Sequence, residues 1–148
     1  MSALVFVDTN VLVYSRDARD VSKQQRAHEW MEFLWDTKRG RVSPQVLHEY
    51  YETVTRKLKP GLTPEEARTD VRALFHWLVP IEATVVLEAA WHFQAKGSFS
   101  FWDALILGAA QTMDCAFVLS EDMGAGHKVE GMRVVGLFRT RPKDLDLQ

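Results

Sequence analysis

Four acids in this chain stand where a carboxylate is able to do chemistry. Asp8 ends the apolar run Leu4 to Val7, Glu49 lies in VLHEYYE, Asp103 lies in SFWDALIL, and Asp122 follows a second apolar run in VLSEDMGAG. A set of oxygen donors of this kind suits a hard divalent cation: Mg²⁺ takes a few carboxylates and keeps waters and phosphate oxygens around it. Each acid also has an ordinary structural reading. Asp8 suits the cap of a short helix beginning near Asn10, and Asp103 falls in the first turn of a helix, three residues after the N-cap candidate Ser100. Glu49 reads equally as a solvated helix glutamate, with Glu52 as its competitor, and Asp122 as a turn former before glycines. The residues around Asp103 (Phe101, Trp102, Ala104, Leu105 and Ile106) suggest a substantially buried first turn, where a carboxylate needs a partner. If Asp122 faces a site, Glu121 beside it should point elsewhere. Brought together, the four would repel one another unless a cation neutralised them.

Other chemistries find less in the sequence. The five histidines (His28, His48, His76, His92 and His127) include no pair spaced four apart, and no GxSxG elbow or P-loop pattern occurs. Gly124 and Gly126 begin a glycine pattern, but Val129 stands where GxGxxG needs its third glycine, so the stretch reads as a turn. The single cysteine, Cys115, excludes an internal disulfide and a zinc site built from two thiolates of this chain, and reads as a small buried residue. A phosphatase using Asp8 as nucleophile would want a second aspartate two residues on, where Asn10 stands. A phospho-receiver would want adjacent acids after an early strand and a lysine after a late one.

Positioning these acids requires elements whose starts are legible. Leu4 to Val7 and Ala116 to Leu119 are short continuous apolar runs, as in parallel strands buried on both faces, and each leads directly into acids. Ser22 with Gln25 resembles a capping box for a helix to about Lys38, with Ala27, Trp30, Met31 and Leu34 on one stripe. Ser43 before Pro44 opens a helix through about Leu58 that aligns Leu47, Tyr50, Val54 and Leu58. Thr63, Pro64 and Glu66 open another, ending near Leu78. Val79 to Ile81 suggests a short strand, non-central because of Pro80. Helices are expected over Thr84 to Lys96, stopped by Gly97, and over Ser100 to Met113; a last strand is expected over Arg133 to Phe138, before a polar tail. Strands alternating with helices imply an α/β domain with a mainly parallel sheet, whose ligands bind beyond the carboxyl ends of the strands.

With 148 residues, 47% of them hydrophobic and 26% charged, the chain fits one globular domain, residues 1–148. Eighteen Lys and Arg against twenty Asp and Glu give a net charge of −2, so there is no global basic field to attract nucleic acid. Basic residues gather locally at Lys38, Arg39 and Arg41 and at Arg56, Lys57 and Lys59, positions that also read as solvated helix ends. The opening MSALVFVDTN lacks a basic region and a long apolar run, implying neither signal peptide nor membrane anchor and a cytoplasmic location.

Four segments in order, VDTNVLVY, SPQVLHEYYETVTRKL, SFWDALILGAAQ and VLSEDM, resemble the PIN-domain family, and more narrowly its VapC-type ribonuclease toxins of toxin–antitoxin pairs. The resemblance runs from Val5 to about Phe138. It implies a Rossmann-like α/β fold around a parallel sheet and a Mg²⁺- or Mn²⁺-dependent endoribonuclease. It places Asp8, Glu49, Asp103 and Asp122 as catalytic metal ligands, with Asn10 and Ser120 orienting them. It also implies an RNA substrate, a small VapB-like antitoxin partner and a homodimer. VVGLF departs from the pattern, standing where an Asn-Pro pair before Phe138 is expected. A PIN-like module that binds RNA or protein without turnover is the alternative.

Overall fold

The computed structural model describes residues 2–148. Its sheet has five strands: β1 (Leu4–Val7), β2 (Gly40–Arg41), β3 (Cys115–Ser120), β4 (Lys128–Val129) and β5 (Met132–Gly136), in the order β2-β1-β3-β5-β4. All neighbours are parallel except β4 and β5. Val5, Phe6 and Val7 are wholly buried, which is what a central strand covered on both faces demands of a continuous apolar run. The connections from β1 and β2 diverge to opposite sides, so the crevice between β1 and β3 is the switch point of this sheet. Register then does the positioning: Val7 pairs with Leu119, so Asp8 and Ser120 end adjacent strands at the same edge.

The helices are α1 (Thr9–Tyr14), α2 (Val21–Thr37), α3 (Pro44–Glu52), α4 (Pro64–Leu74), α5 (Ala83–Lys96) and α6 (Phe101–Thr112). Ser43 caps α3 before Pro44, Thr63 and Glu66 form a reciprocal capping box on α4, and Ser100 caps α6, all as their sequence signals require. Helix α6 is buried from Ala104 to Ala110 apart from Leu105, and a Cβ at Gly108 would run into the backbone of Val86 on α5. Glycine there lets the two helices approach closely, which fixes the angle at which α6 delivers Asp103.

Several expectations are corrected. Asp20, not Ser22, caps α2, its carboxylate accepting the Lys23 amide at 3.1 Å; the acid starts the helix two residues earlier and suits its positive end. Helix α3 is α-helical only to Glu52 and continues as a π-helical turn, Thr53–Lys57, although Leu47, Tyr50, Val54 and Leu58 are all buried as their spacing requires. Helix α4 tightens into a 3₁₀ turn, Phe75–Trp77, and Val79 to Ile81 is loop, consistent with Pro80 having no amide to donate to a ladder. The strand neighbouring β1 is instead Gly40–Arg41, where a Cβ at Gly40 would collide with the Trp77 indole. Arg39 is not a solvated helix end. It is buried, donating to the Ala3 carbonyl and forking onto Asp146 in a 3₁₀ turn, Pro142–Leu147, that also buries Leu145. The tail is therefore part of the packed structure.

Candidate active site

Asp8, Glu49, Asp103 and Asp122 line one open cleft of about 760 Å³ at the carboxyl edge of the sheet. They reach it from four separate elements: the end of β1, the middle of α3, the first turn of α6 and the loop after β3. Glu52, the competitor of Glu49, lies three residues further along the helix and does not line this cleft. No histidine or cysteine lines it.

Asp8 is the most enclosed of the four. Its Oδ1 accepts the Thr9 amide at 2.7 Å, the cap of α1, and its Oδ2 accepts the Ser120 hydroxyl at 2.7 Å. Burial pushes its carboxyl up to about 6 against those two hydrogen bonds, which pull it down; the charges of Asp103 and Glu49 raise it further. The Asp103 carboxyl is likewise raised, first by burial and then by Asp122 and Glu49, while its hydrogen bond from Ser100 opposes the rise. The first turn carrying it is less buried than its apolar sequence suggests, since Trp102 is 61% exposed.

The remaining acids, Glu49 and Asp122, are held by polar partners from their own helix and from distant parts of the chain. The Thr9 hydroxyl donates to Glu49 Oε2 at 3.0 Å, and Gln45 Nε2 donates to Glu49 Oε1 at 2.9 Å. The same Gln45 amide reaches the Trp102 carbonyl at 3.5 Å, bridging α3 to the first turn of α6. Asn10 Nδ2 faces both Ser120 Oγ and Asp122 Oδ2 at 3.4 Å, and its Oδ1 accepts the Glu121 amide at 3.3 Å. Expected to point away from a site that Asp122 faces, Glu121 instead lines the same cleft, where it accepts the Tyr14 hydroxyl; burial, and then that contact, raise the phenol's pKa.

Thr9, Gln45 and Tyr14 are the partners that sequence reasoning passed over. Gln45 lies four residues before Glu49 on one helix face, a spacing that signals contact. Nothing in the sequence signals that Thr9 meets a residue forty positions on, since that contact exists only once α1 and α3 pack.

Among the described residues, no three acids or histidines form a closed ligand set. Hydrogen bonds fix the orientation of the Asp8 and Glu49 carboxylates. The donors nevertheless fit a hard divalent cation: they are all oxygens, they line one cleft, and neighbouring acids add to the burial that raises Asp8 and Asp103.

A family model described as the PIN domain matches residues 5–127. No curated protein sequence matches the chain. Among solved structures, a toxin–antitoxin complex from Klebsiella pneumoniae superposes with a TM-score of 0.66 at 16% identity, covering 92% of this chain and 99% of that one. A DNA-bound VapBC from Salmonella typhimurium gives 0.62 at 15% identity, covering 92% and 99%. The sarcin–ricin-loop-cleaving toxin VapC20 of Mycobacterium tuberculosis gives 0.54 at 20% identity, covering 77% and 86%. With its parallel sheet, its acids at the switch-point edge and a match spanning residues 5–127, the chain belongs to the PIN-domain family, and its fold is that of VapC toxins.

Proposed function

We propose that the chain is a single-domain, divalent-metal-dependent endoribonuclease and the toxin of a type II toxin–antitoxin pair. One observation carries the catalytic part: four carboxylates from four elements share one cleft, and Asp8 among them is pushed up to about 6. The toxin role draws on the likeness to a sarcin–ricin-loop-cleaving toxin and to toxin–antitoxin complexes. A small VapB-like antitoxin, a homodimeric state and a cytoplasmic location belong to the same reading. No helix among the described residues is long and apolar enough to cross a membrane.

Asp8, Asp103 and Asp122 would hold Mg²⁺ or Mn²⁺, directly or through water. When bound, such an ion supplies a water activated at neutral pH and offsets the charge developing on a phosphodiester. Ser120 and the Thr9 amide fix the Asp8 carboxylate, so its orientation is set before substrate arrives. Asn10 does the same for Asp122. Glu49, steadied by Thr9 and Gln45, orients the attacking water or accepts its proton, and no covalent intermediate on the protein is required. In-line attack would leave a 5′-phosphate and a 3′-hydroxyl. The test is cleavage of a defined RNA in Mg²⁺ or Mn²⁺ with analysis of the new ends. A metal-independent reaction, or ends bearing a cyclic phosphate, would contradict this chemistry.

A further inference from the structure

A second groove of about 840 Å³ runs on from the acid cleft: Thr9, Glu49 and Thr53 line both. Its walls carry Trp102, Leu105, Ile81 and Val86, and its polar lining includes His48 and Lys57 together with Glu49 and Glu52. Resting on the nuclease reading above, we infer that this groove is a single-stranded RNA subsite in which the base next to the scissile phosphate stacks on Trp102.

The indole is well placed for that task. Trp102 is 61% exposed, large and apolar, yet it is not loose: Phe101 meets it edge-on at 5.4 Å between ring centroids, and its carbonyl is reached by the Gln45 amide that also holds Glu49. It immediately precedes Asp103, about 3.8 Å away at Cα. A nucleotide whose phosphate lies at the acids therefore has its base within reach of the ring. Lys57 makes no ion pair among the described residues and so is available to a backbone phosphate farther along. Proteins grip single strands by stacking bases on aromatic rings and pairing the backbone with cations, and here Lys57 shares the groove with Glu49 and Glu52, which leaves stacking on Trp102 as the main source of binding. With a net charge of −2 and acids in the groove, sequence-independent binding of this kind depends on the ring more than on charge. The same exposed ring would also suit a second copy of the chain, which the experiment separates.

The experiment compares wild type, Trp102→Phe, Trp102→Ala and Lys57→Gln, each in an Asp8→Asn background with Mg²⁺, by anisotropy of a labelled octa-adenylate and the same oligomer with one abasic position. Molar mass and thermal melts are recorded in parallel. Expected are about tenfold weaker binding for Trp102→Ala, near-normal binding for Trp102→Phe, and a shallower salt dependence for Lys57→Gln, with mass and melting temperature unchanged. The abasic position should weaken the Trp102-containing protein and leave Trp102→Ala indifferent. Equal binding by Trp102→Ala overturns the subsite, as does a loss that tracks a fall in molar mass, which would mark a protein interface. Wild-type cleavage in Mg²⁺ is measured separately: activity without any Trp102 dependence of binding removes the subsite and leaves the nuclease, whereas Trp102-dependent binding without cleavage does the reverse.

Discussion

The Thr9 hydroxyl donates to Glu49 Oε2 at 3.0 Å, joining the residue after the first-strand aspartate to an acid in the middle of α3. One dipeptide at the end of β1 therefore serves two acids: Asp8 by its own carboxylate, and Glu49 through its neighbour. Thr9→Val removes the donor at nearly constant volume. It should lower cleavage about tenfold, the order expected for losing one hydrogen bond to a charged group, while Thr9→Ser should retain most activity. Steady-state rates for both variants, with melting temperatures as a control on folding, check the assignment. Equal loss in Thr9→Ser would point to the methyl group's packing instead.

Glu49→Gln should cost about a hundredfold or more in rate if Glu49 orients or deprotonates the water, and Glu52→Gln should cost little, since Glu52 does not line the acid cleft. Rates of the two variants on one RNA decide it. A larger loss at Glu52 would reverse the assignment.

Asp8 predicts a pH signature in the metal-free protein. Its carboxyl titrates near 3.8 when unperturbed and about 6 in the fold, so between those values the folded state holds a proton that the unfolded chain has released. Stability should therefore fall as pH rises through that window and level off above it, a contribution of up to about 3 kcal/mol. Asp8→Asn lacks this term. Melts from pH 4 to 8 in chelator should show the difference between variant and wild type growing in the variant's favour as pH rises to about 6. A constant difference would mean that Asp8 titrates as an ordinary carboxylate.

Asp103→Asn removes one of the mutually repelling charges, so without metal it should be as stable as wild type or slightly more so. Added Mg²⁺ or Mn²⁺ should raise the wild-type melting temperature, by mass action worth about 2.7 kcal/mol at a hundred times the dissociation constant, and raise the variant's less. Thermal melts of both proteins with chelator and with metal test this. A variant melting far below wild type in chelator, with no response to metal, would make Asp103 a structural acid of the helix start.

What the sequence made legible was local. Ser43 with Pro44, Thr63 with Glu66, and Ser100 carry their caps within a few residues, and the runs ending at Asp8 and Ser120 declare buried parallel strands. The acids stood out by residue type, and their gathering into one cleft follows from strand register and the close packing of α5 on α6. What could not be read depended on contacts across the chain. Arg39 looks like a solvated helix end until Asp146 comes to it from 107 positions on, and β2 is two residues long, so it exists only because β1 lies beside it. Thr9 and Gln45 escaped notice as site residues for the same reason in the first case and a neglected i, i+4 spacing in the second.

The most direct measurement is RNA cleavage by wild type and Asp8→Asn, each with Mg²⁺ or Mn²⁺, in excess chelator, and after metal is restored. Wild type should cleave with metal, stop in chelator and recover, while Asp8→Asn should remain folded and inactive throughout, having lost a charge at the strand end but little packing volume. Near wild-type turnover by Asp8→Asn, or full wild-type activity without divalent ions, would contradict a carboxylate metal site at this edge of the sheet.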